Sequence, residues 1–73
     1  MSRIVQVYVG LLDEGIDVWR PVQAEHVEGN TYRILDQPYD RAVESWQFEP
    51  GDEVVCEPKG FAEGRHLAAI RKA

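Results

Sequence analysis

The chain contains one cysteine and two histidines, the residue types that nucleophilic catalysis and zinc binding use most often. A nucleophilic cysteine needs a nearby base and a lowered pKa, and neither His26 nor His66 forms a recognisable motif with Cys56. A structural zinc site needs four ligands at close spacing, more than these three residues provide. We therefore predict no enzyme activity, no metal and no other cofactor. Cys56 is interpreted as a small buried hydrophobic residue.

Carboxylates cluster in two places. Asp13, Glu14 and Asp17 lie close together, but the Asp-x-Asp-x-Asp-Gly ligand pattern of a calcium loop is absent. A second acidic run consists of Glu49, Asp52, Glu53 and Glu57. Both are interpreted as solvated carboxylates. The second run is also a possible face for docking a basic partner, since complementary charge favours encounter.

A set of aromatic residues favours a surface for a protein partner. Trp19 lies opposite in parity to the valines of its predicted strand and precedes Arg20 and Pro21. SH3-type barrels bind extended, proline-rich segments on such aromatic grooves. The predicted site residues are Trp19, Arg20, Tyr39, Trp46 and Phe48, with Tyr8 beside them. The alternative is core packing, because large aromatic side chains contribute much of the burial energy of a small domain.

The charge balance is acidic, with 13 acids, 8 bases and a net charge of -5. Nucleic-acid binding depends on phosphate neutralisation, so it is the less favoured alternative function. Basic residues collect near the end of the chain as Arg65, His66, Arg71 and Lys72. We interpret them as solvated strand ends, with a small phosphate-binding patch as the alternative.

Two features bear on the compartment. A single cysteine cannot form an intramolecular disulfide, which favours a reducing cytoplasm. The apolar run from Val7 to Leu12 is too short for a signal-peptide core, and nothing approaches the roughly 20 apolar residues of a membrane span. We therefore expect a cytoplasmic protein without a membrane segment.

Alternation of apolar and polar residues predicts five short strands in one domain of 73 residues. The predicted strands cover 3–9, 16–25, 31–35, 53–57 and 66–70. On the first strand Val5, Val7 and Val9 should face inward. Glycine-rich turns and the lack of any long 3.6-residue period indicate an all-β fold, and curling the sheet into a small barrel limits exposed edges.

Among five-stranded barrels, the SH3-like type is favoured over the OB type. An OB barrel usually carries a longer helix after its third strand, and residues 36–45 are too short and broken for one. Asp40 can cap one helical turn through Glu44. Pro21 predicts that the second strand bends or faces an edge, and Pro58–Gly60 is interpreted as a connection.

Several segments together carry a family resemblance. They are Leu11–Gly15 (LLDEG), Val18–Val22 (VWRPV), Tyr32–Ile34, and Trp46–Phe48 before Pro50-Gly51. In these segments the chain resembles a group of small, uncharacterised bacterial proteins with an SH3-like barrel. The resemblance implies that fold and a bacterial cytosolic origin, and it transfers no catalytic residue.

These observations predict a non-enzymatic protein-interaction module that uses an aromatic groove or an acidic face. The alternative function is a nucleic-acid-binding small barrel. A small acidic chain buries little core, so pairing of copies would add buried area, and both a monomer and a homodimer are open.

Overall fold

The computed structural model describes residues 3–12 and 18–73, which form an all-β molecule. Its strands in those residues are β1 (Ile4–Leu12), β2 (Trp19–Glu28), β3 (Thr31–Ile34), β4 (Ser45–Trp46), β5 (Glu53–Phe61) and β6 (Gly64–Lys72). Within the described residues there is no helix with the length and apolar character needed to cross a bilayer. The predicted fold class is confirmed, with the two-residue β4 as an addition to the five expected strands.

The strands form a closed ring in the order β2-β3-β5-β6-β1, with β1 pairing back to β2. Neighbours are antiparallel except β6 and β1, which are parallel and meet at the single pair Tyr8–Ala68. Apart from β4, the strands follow one another around the ring in sequence order. An OB-type barrel would instead have Greek-key connections. The architecture observed is therefore a small β-barrel whose strands follow one another in sequence order, and the OB-type alternative is excluded.

The barrel interior is filled by alternate side chains of the strands. Val7 and Val9 are fully buried and Val5 packs against them, which confirms the predicted inward face of β1. The other buried members of the core are Val22, Ala24, Ile34, Trp46, Phe48, Val54, Cys56 and Ala69. Removing this apolar surface from water is the main force that closes the sheet.

The segment Pro58–Gly60 belongs to β5, so its interpretation as a connection was wrong. The Cys56 N–H donates to the Asn30 carbonyl beside β5, 2.8 Å away. By alternation the backbone of Pro58 also points away from β6. The missing proline N–H therefore removes no bond of the β5–β6 ladder, and the hairpin turn lies after Phe61 instead.

β1 is longer than predicted because Leu11 and Leu12 extend it. They were expected in a loop, but they pair with Trp46 and Ser45 of β4. The predicted beginning of β2 at residues 16–17 lies outside the described residues, as does the acidic cluster of Asp13, Glu14 and Asp17.

The turn predicted at Asp40 is confirmed. Its carbonyl accepts hydrogen bonds from the N–H groups of Val43 and Glu44, both at 3.1 Å, and its carboxylate accepts one from Ala42 at 3.0 Å. Capping by Asp40 thus stabilises a single turn that would otherwise lack backbone partners. Three of the six residues that line the groove described below lie on this turn.

Pro21 lies at an open edge of β2, as one of the two predicted alternatives stated. The Gln37 side chain caps that edge: its amide NH₂ donates to the Gln23 carbonyl at 2.9 Å, and its oxygen accepts from the Gln23 N–H at 3.0 Å. By alternation the backbone at Pro21 faces the same side. A residue without an N–H suits that position.

Candidate binding groove

An open groove of about 460 Å³ lies between the turn at Asp40 and the start of β2. Its walls are formed by Arg20, Pro38, Tyr39, Asp40, Val43 and Glu44. Val43 is 73% exposed, the most exposed large hydrophobic side chain of the described residues. The groove therefore combines apolar surface with charged groups, the composition of a site that orients a ligand.

Two stacked aromatic rings support the groove. The rings of Tyr39 and Trp46 are nearly parallel, with centroids 4.1 Å apart. The Tyr39 hydroxyl also accepts a hydrogen bond from the backbone N–H of Trp46 at 2.6 Å. Because Trp46 is buried in the core, the Tyr39 ring is held in one orientation. The wall that it forms is thus rigid.

Glu44 links the groove to the barrel. One of its carboxylate oxygens accepts from the Trp46 indole N–H at 2.7 Å and from the Arg20 Nε at 2.9 Å. Arg20 lies near the start of β2 and pairs with Val9, so its side chain occupies an inward position of the strand. Its guanidinium reaches Glu44 at the rim of the barrel. This ion pair explains a charged residue in an otherwise apolar pattern.

Arg41 covers the other face of the Tyr39 ring. Its guanidinium carbon lies 4.3 Å from the ring centroid, and its Nε lies 3.4 Å from a carboxylate oxygen of Glu49. Arg41 and Trp46 are both within stacking distance of the same ring, so they must occupy opposite faces. Tyr39 is therefore sandwiched between a buried indole and an exposed cation.

The structure brings together three of the five predicted site residues. Arg20 and Tyr39 line the groove, and Trp46 lies directly behind Tyr39. Phe48 is 6% exposed and Trp46 is 3% exposed, so both are core residues rather than contact residues. Trp19 lies elsewhere and contributes to a different aromatic cluster.

Trp19 belongs to an outer aromatic cluster, which we define as Tyr8, Trp19, Phe61 and His66. Tyr8 stacks on Phe61 with centroids 4.5 Å apart, and Trp19 meets the edge of Phe61 at 5.9 Å. The His66 ring lies 5.2 Å from Tyr8, and the Lys59 ammonium lies 5.4 Å from the Trp19 ring. Trp19 thus packs, half-buried, against residues of β5, and neither in the predicted groove nor under the segment 36–50, where the core-packing alternative placed it.

The outer aromatic cluster spans the weakest seam of the barrel. Tyr8 lies on β1 and His66 on β6, the two strands that share only one pair. The Tyr8 hydroxyl donates to Glu63 at 3.0 Å, and this hydrogen bond raises the pKa of Tyr8. Among the described residues, Nε2 of His66 is buried and has no hydrogen-bond partner. The His66 ring packs against the rings of Tyr8 and Phe61.

Cys56 shows no sign of activation. Its side chain is 1% exposed, and burial raises the pKa of its thiol to about 11. The thiol is thus neutral and shielded at pH 7. In the described part of the chain, no three His, Cys, Asp or Glu side chains group closely enough to hold a metal ion.

Several other charged residues form surface pairs. Arg33 bridges Glu53 and Glu25, each at 2.8 Å, and the hydrogen bond to Glu53 is the main cause of the raised pKa of Arg33. Arg65 and Arg71 of the basic tail are exposed. Three carboxylates of the acidic run are paired: Glu49 with Arg41, Asp52 with Lys72 and Glu53 with Arg33. Docking of a basic partner on this run stays a prediction.

Sequence reasoning missed four residues of the groove wall: Pro38, Asp40, Val43 and Glu44. Asp40 was recognised only as a cap. The useful signal was present, because a capped turn projects the side chains at its third and fourth positions beyond the barrel. Their proximity to Arg20 depends on the tertiary fold and has no signature in the chain.

Fold and site together define a small all-β barrel with a rigid aromatic groove at one end. Comparison of the chain with protein-family models, with curated proteins and with solved structures gave no match. The resemblance to small bacterial proteins with an SH3-like barrel therefore stays a prediction.

Proposed function

We propose that this chain is a non-enzymatic protein-interaction module that binds an extended segment of a partner protein in the groove. The observation that carries the proposal is the position of Val43, 73% exposed beside the fixed Tyr39–Trp46 stack. A rigid aromatic wall loses little conformational entropy when a ligand binds. Covering an exposed aliphatic side chain removes apolar surface from water, which favours binding.

The charges of the groove favour a basic partner segment. Asp40 and Glu44 carry two negative charges against the one positive charge of Arg20. The whole chain adds a net charge of -5, which raises the encounter rate with cations. Pro38 and Val43 supply the apolar contacts. A segment that combines proline or aliphatic residues with a basic residue meets both requirements.

The non-enzymatic part of the proposal is supported by the state of Cys56, whose buried thiol has a raised pKa. A single buried cysteine is also compatible with the reducing cytoplasm that we propose as its compartment. A monomer that binds one partner segment in this groove is the simplest stoichiometry.

Selection from a displayed library of random peptides, with the purified chain as bait, tests the proposal. We expect enriched sequences that pair a basic residue with proline or aliphatic residues. Binding should fall about fivefold to tenfold in Val43→Ser, because the smaller polar side chain removes the apolar contact without changing the charge of the groove. Val27→Ser is the matched control, since Val27 is exposed on β2 outside the groove. Equal loss in both variants, or no enrichment, would contradict the proposal.

A second candidate function is binding of single-stranded nucleic acid on the outer aromatic cluster. The observation in its favour is Lys59 beside Trp19, since base stacking and phosphate contacts often occur together. Titration with a fluorescent oligonucleotide at low salt decides it. Binding that weakens with added salt and with Trp19→Ala supports this candidate, whereas no binding at low salt removes it.

A further inference from the structure

Arg41 reveals what chemistry suits the face of Tyr39 that is turned away from Trp46. Its guanidinium lies 4.3 Å from the ring centroid, within the range of a cation–π contact. We propose that this face is a guanidinium-binding site, occupied by Arg41 in the free chain and by an arginine side chain of the partner in the complex. The inference rests on the proposed function and specifies the basic residue of the partner segment.

The surroundings of the ring favour a guanidinium over other cations. Trp46 stacks on one face of the Tyr39 ring, so the opposite face is held in a fixed orientation. Glu49 lies within 3.4 Å of the Arg41 Nε, and Asp40 lies next in sequence to both Tyr39 and Arg41. A planar guanidinium stacks flat on a ring while its edge donates to carboxylates, whereas an ammonium group has no planar face with which to stack.

The contacts that hold Arg41 are weak enough to be displaced. Its side chain is 61% exposed, and that of Glu49 is 51% exposed. The separation of 3.4 Å exceeds the usual length of an N–H···O hydrogen bond. Exposed ion pairs contribute little because water and salt screen them. Arg41 is therefore an internal competitor that lowers, but does not abolish, access to the ring.

Competition predicts that removal of Arg41 strengthens binding of an added guanidinium. The probe is N-acetyl-arginine amide, titrated into isotope-labelled protein while the ring resonances of Tyr39 and Trp46 are followed by NMR. We expect roughly five- to tenfold tighter binding to Arg41→Ala than to the wild type, since an occupied site reduces apparent affinity. N-acetyl-citrulline amide, which has the same shape without the charge, should shift these resonances much less.

Arg71→Ala is the matched control, because it removes one exposed positive charge from β6 and leaves the groove residues intact. It should bind the arginine probe like the wild type. Equal affinity of Arg41→Ala and Arg71→Ala, or shifts that spread outside the ring resonances of Tyr39 and Trp46, would overturn the inference.

The same titration separates this inference from the proposed function. If the arginine probe binds Arg41→Ala at Tyr39 but peptide selection fails, the guanidinium site stands and the extended-segment groove does not. If selection yields peptides whose only basic residue is lysine and the arginine probe fails, the groove stands and the guanidinium site does not.

Discussion

Cys56 shows how burial alone decides the chemistry of a residue. It is the residue type with the greatest catalytic potential in the chain, yet its side chain is 1% exposed among the core residues of β5 and its neighbours. The interpretation from sequence, a small hydrophobic residue of a strand, is confirmed. The thiol is held neutral because a thiolate would lose its hydration in the core.

The raised pKa of Cys56 has a consequence for stability at alkaline pH. Its pKa is about 11 in the folded chain against the ordinary 9.0, so between these values the unfolded state binds fewer protons than the folded state. Stability must therefore fall as pH rises from about 9 to 11, by an amount on the order of 1–2 kcal/mol. Urea unfolding of the wild type and of Cys56→Ala at pH 8 and pH 10.5 measures it. Parallel losses in both proteins would contradict this assignment.

Edges are the main problem of a short-stranded sheet, and here side chains protect them. Gln37 occupies the position of a strand residue beside β2, because its amide donates to the Gln23 and Leu35 carbonyls and accepts from the Gln23 N–H. Pro21 and Pro58 lie where an edge lacks a neighbour. A residue without an N–H cannot recruit another strand there.

We expect Gln37→Ala to destabilise the chain by about 1–2 kcal/mol, because the Gln23 N–H and the Leu35 carbonyl lose the side chain that bonds to them. Gln47→Ala is the control: Gln47 is exposed, and its backbone N–H rather than its side chain bonds to Gly10. It should change the free energy of unfolding by less than about 0.5 kcal/mol. Chemical denaturation measures the free energy of unfolding of both variants. Equal losses in the two would show that the amide of Gln37 does not specifically cap the edge of β2.

At the scale of the whole molecule, closure depends on more than backbone pairing. β1 and β2 share a long antiparallel ladder, whereas β1 and β6 meet at one pair. The outer aromatic cluster covers this seam from outside. Its rings therefore stabilise the closed barrel although they lie outside the interior core.

Phe61→Ala should accordingly destabilise the chain by about 2 kcal/mol, although Phe61 is only partly buried. Ile4→Ala is the comparison, because Ile4 lies on the same outer side of β1 as Tyr8 and is 63% exposed. Its effect should stay below about 0.5 kcal/mol. Hydrogen exchange adds a specific readout: in Phe61→Ala the amides of β6 near Ala68 should lose protection before those of β2. Equal loss of protection in β6 and β2 would show that the outer aromatic cluster does not stabilise the pairing of β1 with β6.

Much of the fold was predictable because strand signals are local. Alternation in residues 4–9 identified the inward face of β1, and the capping potential of Asp40 identified its turn without any knowledge of neighbours. Pro58 misled the prediction, since a proline is compatible with a strand only when its backbone faces an unpaired edge. That condition depends on which strand lies beside it.

The composition and periodicity of this chain by themselves determined an all-β barrel of one domain with a valine-rich interior. Only the tertiary structure decided the roles of the aromatic residues. Trp19 and Trp46 were both predicted to belong to one aromatic groove, yet one packs across the seam and the other supports the groove from the core. The physical reason is that an aromatic ring gains its energy from whichever distant surfaces it covers, and those surfaces become neighbours only when the sheet closes.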